Sequence, residues 1–309
     1  MRTRRSLVVL SVTLGLVAAA CGRESSDVSG GTTSATFPVT IAAANGSVLV
    51  PERPQRIVSL SPTGTEMLYA IGAGEQVVAV DDQSSYPPDA PKTKLSGFQP
   101  NAEAVAQREP DLVVLSDDVN EIVKSLQVLK IPTLQQPAAT TLDDSYKQIE
   151  QLGAATGHVG EAASLVASMS TKIDRLARPA PERTLTYYHE LDQKLFSVTS
   201  KTFIGQVYEL AGLRNIADAA EGADAGYPQL SAEYVVQADP DVIFLADTKC
   251  CGQTAEKVAQ RPGWNQISAV RTGAVVELDD DVASRWGPRI VELLETVVRE
   301  IDELESAKT

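Results

Sequence analysis

A chain of 309 residues with 43% hydrophobic content can bury two cores of ordinary domain size, and its formal net charge of −14 argues against a nucleic-acid partner. A surface this acidic suits a basic partner instead. Two histidines make a histidine-led zinc or manganese site a poor reading.

Residues 1–20 read as an export signal. Arg2, Arg4 and Arg5 form its basic start, Leu7–Val17 its apolar stretch, and Ala18, Ala19 and Ala20 a small-residue cleavage site before Cys21. The apolar stretch is short for a membrane-spanning helix, which needs about 20 residues. Loss of this segment removes three arginines and leaves the mature chain more acidic still. Residues 21–36 are rich in Ser, Thr and Gly and cannot bury enough surface to fold, so they are expected to form a flexible tether.

Phe37–Val50, with Asn45-Gly46 between alternating residues, predicts a β-hairpin. Arg56–Ser61 predicts a buried strand, and Pro62–Ile71 a helix closed by Gly72. Strands follow at Val77–Val80, Leu112–Leu115 and Ile131–Leu134, with helices at Asn120–Leu129 and Leu142–Leu152. From Gly160 to Ala177 the apolar residues Ala162, Leu165, Val166, Met169, Ile173 and Leu176 recur at helical spacing. A helix of that length spans roughly 25 Å, enough for a stiff strut between two lobes. Beyond it come strand Thr184–Tyr188, helix Phe203–Ala211, strand Val275–Leu278 and helix Pro288–Leu304.

Two stretches on either side of the strut repeat one another. Gln99–Asp117 (QPNAEAVAQREPDLVVLSD) and Gln229–Asp247 (QLSAEYVVQADPDVIFLAD) match without gaps at nine of nineteen positions. Each offers a helix N-cap (Asn101, Ser231), a glutamate two residues on (Glu103, Glu233), a short helix, Pro-Asp and an apolar strand. A duplicated α-to-β unit flanking one helix predicts two similar α/β lobes, each with a parallel sheet covered on both faces. The lobes are expected at residues 37–157 and 179–309, with 158–178 as the link.

RIVSLSPTGTEMLYAIGAGEQVVAVDDQSSYPPDAPK, GFQPNAEAVAQREPDLVVL and FIGQVYELAG…GYPQLSAEYVVQADPDVIFL, in this order around a single linking helix, resemble the solute-binding proteins of metal-chelate ABC importers. Ser85-Tyr86-Pro87-Pro88 and Gln99…Asn101-x-Glu103 look most like the cobalamin-binding branch; ferric siderophores and haem are the alternative cargoes of the same family. The resemblance runs over roughly Phe37–Leu304. It implies two Rossmann-like lobes joined by one rigid helix, the class III type of periplasmic binding protein, with no resident cofactor and no catalysis. The run Ala18–Gly22 resembles the lipobox of bacterial lipoproteins, except for Ala18 where Leu or Val is usual. A lipidated Cys21 would anchor a monomeric, extracytoplasmic protein to the membrane, whereas a plain secretory signal would release it.

By that resemblance Tyr86, Phe98 and Tyr227 match aromatic positions of the ligand cleft, where flat aromatic walls suit a corrin or similar macrocycle. The bland reading of each is loop packing. Trp286 could reach the cleft mouth or plug the start of the last helix, and Arg285 could meet a phosphate or carboxylate of the ligand. Glu103 and Glu233 are implied to dock on arginines of the permease dimer, and the repeat gives a separate reason to pair them. A glutamate in the first helical turn also favours the helix dipole without any partner.

Cys250-Cys251 follows a strand end; a vicinal disulfide, a structural loop role without one, and ligand or metal contact all remain open, though the pair lacks the spacing of a zinc site. His158 is expected as an exposed turn residue, His189 as a loop histidine and Trp264 as a packing residue of a surface helix. The Asp117-Asp118 and Asp279-Asp280-Asp281 clusters read as solvated turns. No GxSxG elbow, P-loop, HExxH or GxGxxG supports an enzyme. A lipid-anchored scaffold for a protein partner is the third class to separate from ligand capture.

Overall fold

In the computed structural model, which describes residues 36–178 and 185–306, the duplicated units build two sheets with one winding. The export signal, Cys21 and residues 21–35 of the expected tether lie outside the described residues. β1 (Val39–Ala43) and β2 (Gly46–Val50) form an antiparallel hairpin. Ala43 pairs with Gly46, so the turn falls on Ala44-Asn45, one residue earlier than expected. Asn45 then fastens the hairpin to the first sheet, donating to the Thr133 carbonyl at 2.9 Å and accepting from the Gln135 N–H at 3.1 Å.

β3 (Ile57–Leu60), β4 (Val77–Val80), β5 (Leu112–Leu115) and β6 (Thr133–Gln135) make a parallel sheet in the order β4-β3-β5-β6. β7 (Thr186–Glu190), β8 (Arg214–Asn215), β9 (Val242–Leu245) and β10 (Val275–Glu277) make the second, in the order β10-β9-β7-β8. Counted in chain order from the matching edge, both sheets read second, first, third, fourth. The repeat therefore extends from sequence to topology. In such sheets the connections diverge between the first and third strands, beyond whose carboxyl ends ligands settle.

Both faces of the first sheet are buried, as continuous apolar runs in parallel strands require. Ile57, Leu112 and Val114 face one cluster, while Val58, Val113 and Leu115 face another with Val105, Ile122 and Leu126. The first cluster continues into the second sheet through Tyr187, Ile243 and Phe244. The linking helix Val159–Leu176 lies close to the expected span; Gly157, at φ 83°, ends the preceding helix Leu142–Thr156. It adds Ala162, Met169 and Ile173 to that cluster, and the last helix, Ile290–Ser306, packs against it with Leu293, Leu294 and Val297 buried.

Several local expectations shift. The strand expected at Thr184–Tyr188 runs Thr186–Glu190, which takes His189 out of a loop and into the buried part of a strand. Its Nδ1 pairs with the Tyr208 hydroxyl at 2.8 Å, and desolvation pushes its pKa down to about 3, so the ring is neutral. Trp264 is not at the surface but only 1% exposed, edge-on to Tyr188 and beneath the Arg261 guanidinium. His158 is half-buried at the head of the linking helix and pairs with Arg53 at 3.0 Å. Burial, and then the Arg53 charge, hold its pKa below the ordinary histidine value. The helix expected from Asn120 begins at Ile122, because Asn120 and Glu121 take left-handed conformations (φ 55° and 54°).

Candidate functional site

The site is assembled at the carboxyl ends of the two sheets, where each strand hands over to a loop. In the first lobe a buried hydroxyl network caps β3 and β5. Thr65 bonds both Ser59 and Ser84 at 2.9 Å, and Ser116 donates to Ser61 at 2.7 Å. Ser61 also caps helix Pro62–Ala70 by accepting the Gly64 N–H at 3.1 Å, and Pro62 at its first position loses no needed donor. Above this floor lies a recess of about 60 Å³ lined by Pro62, Asp81, Gln83, Phe98, Ser116 and Asp117. Phe98 on its rim is 74% exposed. Asp81 is buried, and its desolvation raises its pKa despite the bonds it accepts from Ser84 and Gln83.

Tyr86 lies in the loop that follows β4, 41% exposed, with the Arg289 guanidinium 4.2 Å from its ring centroid. Tyr227 belongs to the second sheet's carboxyl side, 55% exposed. Its neighbours fix it there: Ser197 N–H donates to Pro228 O and Thr199 N–H to Gly226 O, both at 2.9 Å, so the segment pairs with the loop leaving β7. Three of the exposed large hydrophobic side chains are thus aromatics on carboxyl-end loops.

Arg285 and Trp286 take different places. Arg285 is 9% exposed, donating to Glu66 and Asp281 at 2.6 Å and to the Gln83 carbonyl at 3.1 Å. Trp286 is half-buried; its Nε1 donates to Gln148 at 2.8 Å and its carbonyl accepts from Ser145 at 2.5 Å. Both therefore pack on first-lobe helices. The loops of the two sheets meet where Ser85 donates to Asp281 at 3.1 Å. Asp279, Asp280 and Asp281 are not idle turn residues: Asp279 caps helix Asp280–Ser284, and Asp280 accepts the Thr248, Lys249 and Cys250 N–H groups at 2.8 to 3.1 Å. That carboxylate organises the exposed turn Thr248–Cys251, in which Cys250 and Cys251 form a vicinal disulfide.

Under this turn is a cluster the sequence did not announce. Glu190 is fully buried and takes a forked pair from Arg261 at 2.6 and 2.5 Å, while Gln253 accepts from the same guanidinium at 2.9 Å. Beside them both oxygens of buried Asp247 lack a hydrogen-bond partner. Desolvation, then the Glu190 charge, push its pKa up to about 7. The pairing of Glu190 with Arg261 spans 71 positions, so no local motif could reveal it.

Glu103 and Glu233 are both exposed, each second in a short helix (Ala102–Ala106, Ala232–Ala238), and neither enters an ion pair among the described residues. Helices that lead back into parallel strands start on the carboxyl-end side, so the two carboxylates share the side of their sheets that carries the aromatics. Among the described residues no group of three or more His, Cys, Asp or Glu is placed to hold a metal ion, and no helix is long and apolar enough to cross a membrane.

Two like-wound α/β lobes joined by a single helix, with loops meeting at their carboxyl ends, define a class III solute-binding fold. The chain belongs to the periplasmic binding protein family, whose model matches residues 57–282. It is 29% identical to an uncharacterized ABC transporter substrate-binding lipoprotein, YvrC, of Bacillus subtilis, over 97% of this chain and 98% of that one. It is 33% identical to a cobalamin-binding protein of Halobacterium salinarum, over 83% of this chain and 72% of that one. Among solved structures, the periplasmic heme-binding protein RhuT from Roseiflexus matches with a TM-score of 0.70 and 24% identity, covering 81% of this chain and 99% of that one. A likeness at that identity speaks for the fold and leaves the cargo open.

Proposed function

We propose that the protein is an extracytoplasmic capture component that binds a metal chelate, a corrinoid, and delivers it to an ABC importer. The observation that carries this reading is the set of exposed aromatics Tyr86, Phe98 and Tyr227 on carboxyl-end loops of both lobes. Rings of this kind give a flat macrocycle large apolar contact with little rotamer entropy to lose. The 33% identity to a cobalamin-binding relative supports the corrinoid over other chelates. In this reading the lobes are residues 37–157 and 179–309, linked by 158–178. Arg285, tied to Glu66 and Asp281, and Trp286, whose Nε1 is engaged, frame the mouth of the site rather than grip the ligand alone. Glu103 and Glu233 dock on cationic side chains of the permease, and a lipidated Cys21 holds the monomer at the membrane through the residues 21–36 tether.

The test is a binding panel on the purified mature chain: cyanocobalamin, haemin and a ferric hydroxamate, read by absorption change and native mass spectrometry. Saturable 1:1 binding of cyanocobalamin, tighter than the other two, is expected. Tighter haemin or siderophore binding moves the reading within the family, and no binding of any favours a scaffold for a protein partner.

A further inference from the structure

The loop that carries Tyr86 is held by its own lobe and also by chain returning from the other lobe. Its ends are closed within the first lobe, where Asp82 N–H donates to Leu95 O at 2.8 Å and Ser84 bonds Thr65 at 2.9 Å. Its centre is not. Gln83 is met by Arg285, Ser85 by Asp281, and the ring of Tyr86 by Arg289, all from the segment that follows β10.

Arg289 is itself fixed. Glu66 on helix Pro62–Ala70 is 3% exposed and accepts from Arg289 Nε at 3.0 Å and Nη2 at 2.5 Å, and from Arg285 Nη1 at 2.6 Å. The forked pair fixes the guanidinium, whose central carbon lies over the Tyr86 ring, 4.2 Å from its centroid. A lysine ammonium has no fork with which to grip both Glu66 oxygens while it lies over the ring. Arg289 covers Tyr86 on this side, while the residue as a whole remains 41% exposed.

We propose that Arg289, seated on Glu66, is a positioning residue for ligand capture: it holds Tyr86 from behind so that the open face of the ring is in place before the ligand arrives. This rests on the reading that Tyr86 lines the ligand site. Ordering the ring in advance removes a cost that binding would otherwise bear, and a desolvated cation–π contact is stronger than an exposed one. Arg289 touches no ligand in this scheme and acts only through Tyr86.

The experiment uses the full mature chain with cyanocobalamin as probe, and compares wild type, R289M, Y86A and Y86A/R289M. Hydrogen exchange across residues 82–90 is expected to quicken in R289M, and cyanocobalamin affinity to fall about tenfold. In the Y86A background the same change should cost less than about twofold, the non-additivity expected of residues acting through one contact. Equal losses with and without Tyr86, or unchanged exchange across the loop, overturn the proposal. R289M leaves Arg285 on Glu66, so the carboxylate keeps one partner; if the variant still fails to fold, R289K, which cannot fork and stack together, carries the same expectations. If wild type binds no cyanocobalamin, the functional reading fails separately, and the exchange rates alone then decide whether Arg289 holds the loop.

Discussion

Asp117 and Asp247 close the two copies of the repeat at equivalent positions, yet they live in opposite surroundings. Asp117 is exposed and helps line the recess beneath Phe98. Asp247 is fully buried beside the Glu190–Arg261 pair, and the turn that follows it is braced by a disulfide and by Asp280. Duplication has kept the helix, the strand and the winding while the turn after the strand has been put to different use: an open wall in the first lobe and a sealed, charged interior in the second. The parts that stayed alike, Glu103 and Glu233 on their exposed helices, are those for which symmetry itself would be useful.

The largest expected effect tests that shared part. Reversing both charges, E103K with E233K, should abolish uptake of the ligand by cells while leaving affinity in solution unchanged, and each single reversal should reduce uptake to a similar degree. Transport assays paired with binding titrations check this. Full uptake by the double variant would break the equivalence of the copies, and unequal single effects would show that the permease distinguishes them.

The next effects test what differs. Arg261→Met strands a buried Glu190 carboxylate and should cost about 3 to 5 kcal/mol by urea unfolding, because removing one partner leaves an uncompensated charge. Asp247→Asn should then separate the two turns by pH. The folded pKa of Asp247, raised to about 7, lies above the ordinary unfolded value, so the folded state binds more protons between roughly pH 4 and 7 and stability falls as pH rises through that window. His189, held down to about 3, works the other way: its contribution is present above the ordinary histidine value and is lost as pH falls. The asparagine variant should therefore gain over wild type by about 1 to 3 kcal/mol at pH 8 and little at pH 4. Thermal unfolding that shows the same difference between Asp247→Asn and wild type at pH 4 and pH 8 would remove the charged interior from the contrast.

These contrasts also mark how far the sequence could be read. The repeat, the linking helix and the sheet strands were legible because period and apolar runs are local signals, and the N-caps because Asn101 and Ser231 sit at fixed offsets from their helices. The polar end of β7 was not, since His189-Glu190 looks like a loop until Arg261 neutralises Glu190 from a distant turn. Arg289 escaped for the same reason: its partner Glu66 lies 223 positions away, and Arg285 alone looked free to meet a ligand. Exposure of Tyr86, Phe98 and Tyr227 could be anticipated from their loops, but what stands behind each ring could not.

The smallest effect probes the symmetry most finely. Asn101 accepts the Ala104 N–H at 2.8 Å, and Ser231 accepts the Tyr234 N–H at 3.1 Å. Both caps start short helices with the same burial sequence through the first turns, exposed at Glu103 and Glu233 and buried at Val105 and Val235. Replacing either cap by alanine should cost about 1 kcal/mol, since one first-turn donor loses its partner. If the shared sequence sets the energetics, Asn101→Ala and Ser231→Ala should agree within about 0.5 kcal/mol by denaturant unfolding, the level at which distant sites act independently. The second helix also holds Tyr234, whose hydroxyl donates to the Ile216 carbonyl at 2.6 Å, where the first has Ala104. That added tie should keep the second helix in place when its cap is gone, so any inequality should fall with Asn101→Ala as the costlier change, and the reverse order would mean that the lobe's surroundings, not the copied segment, decide how firmly each glutamate is presented.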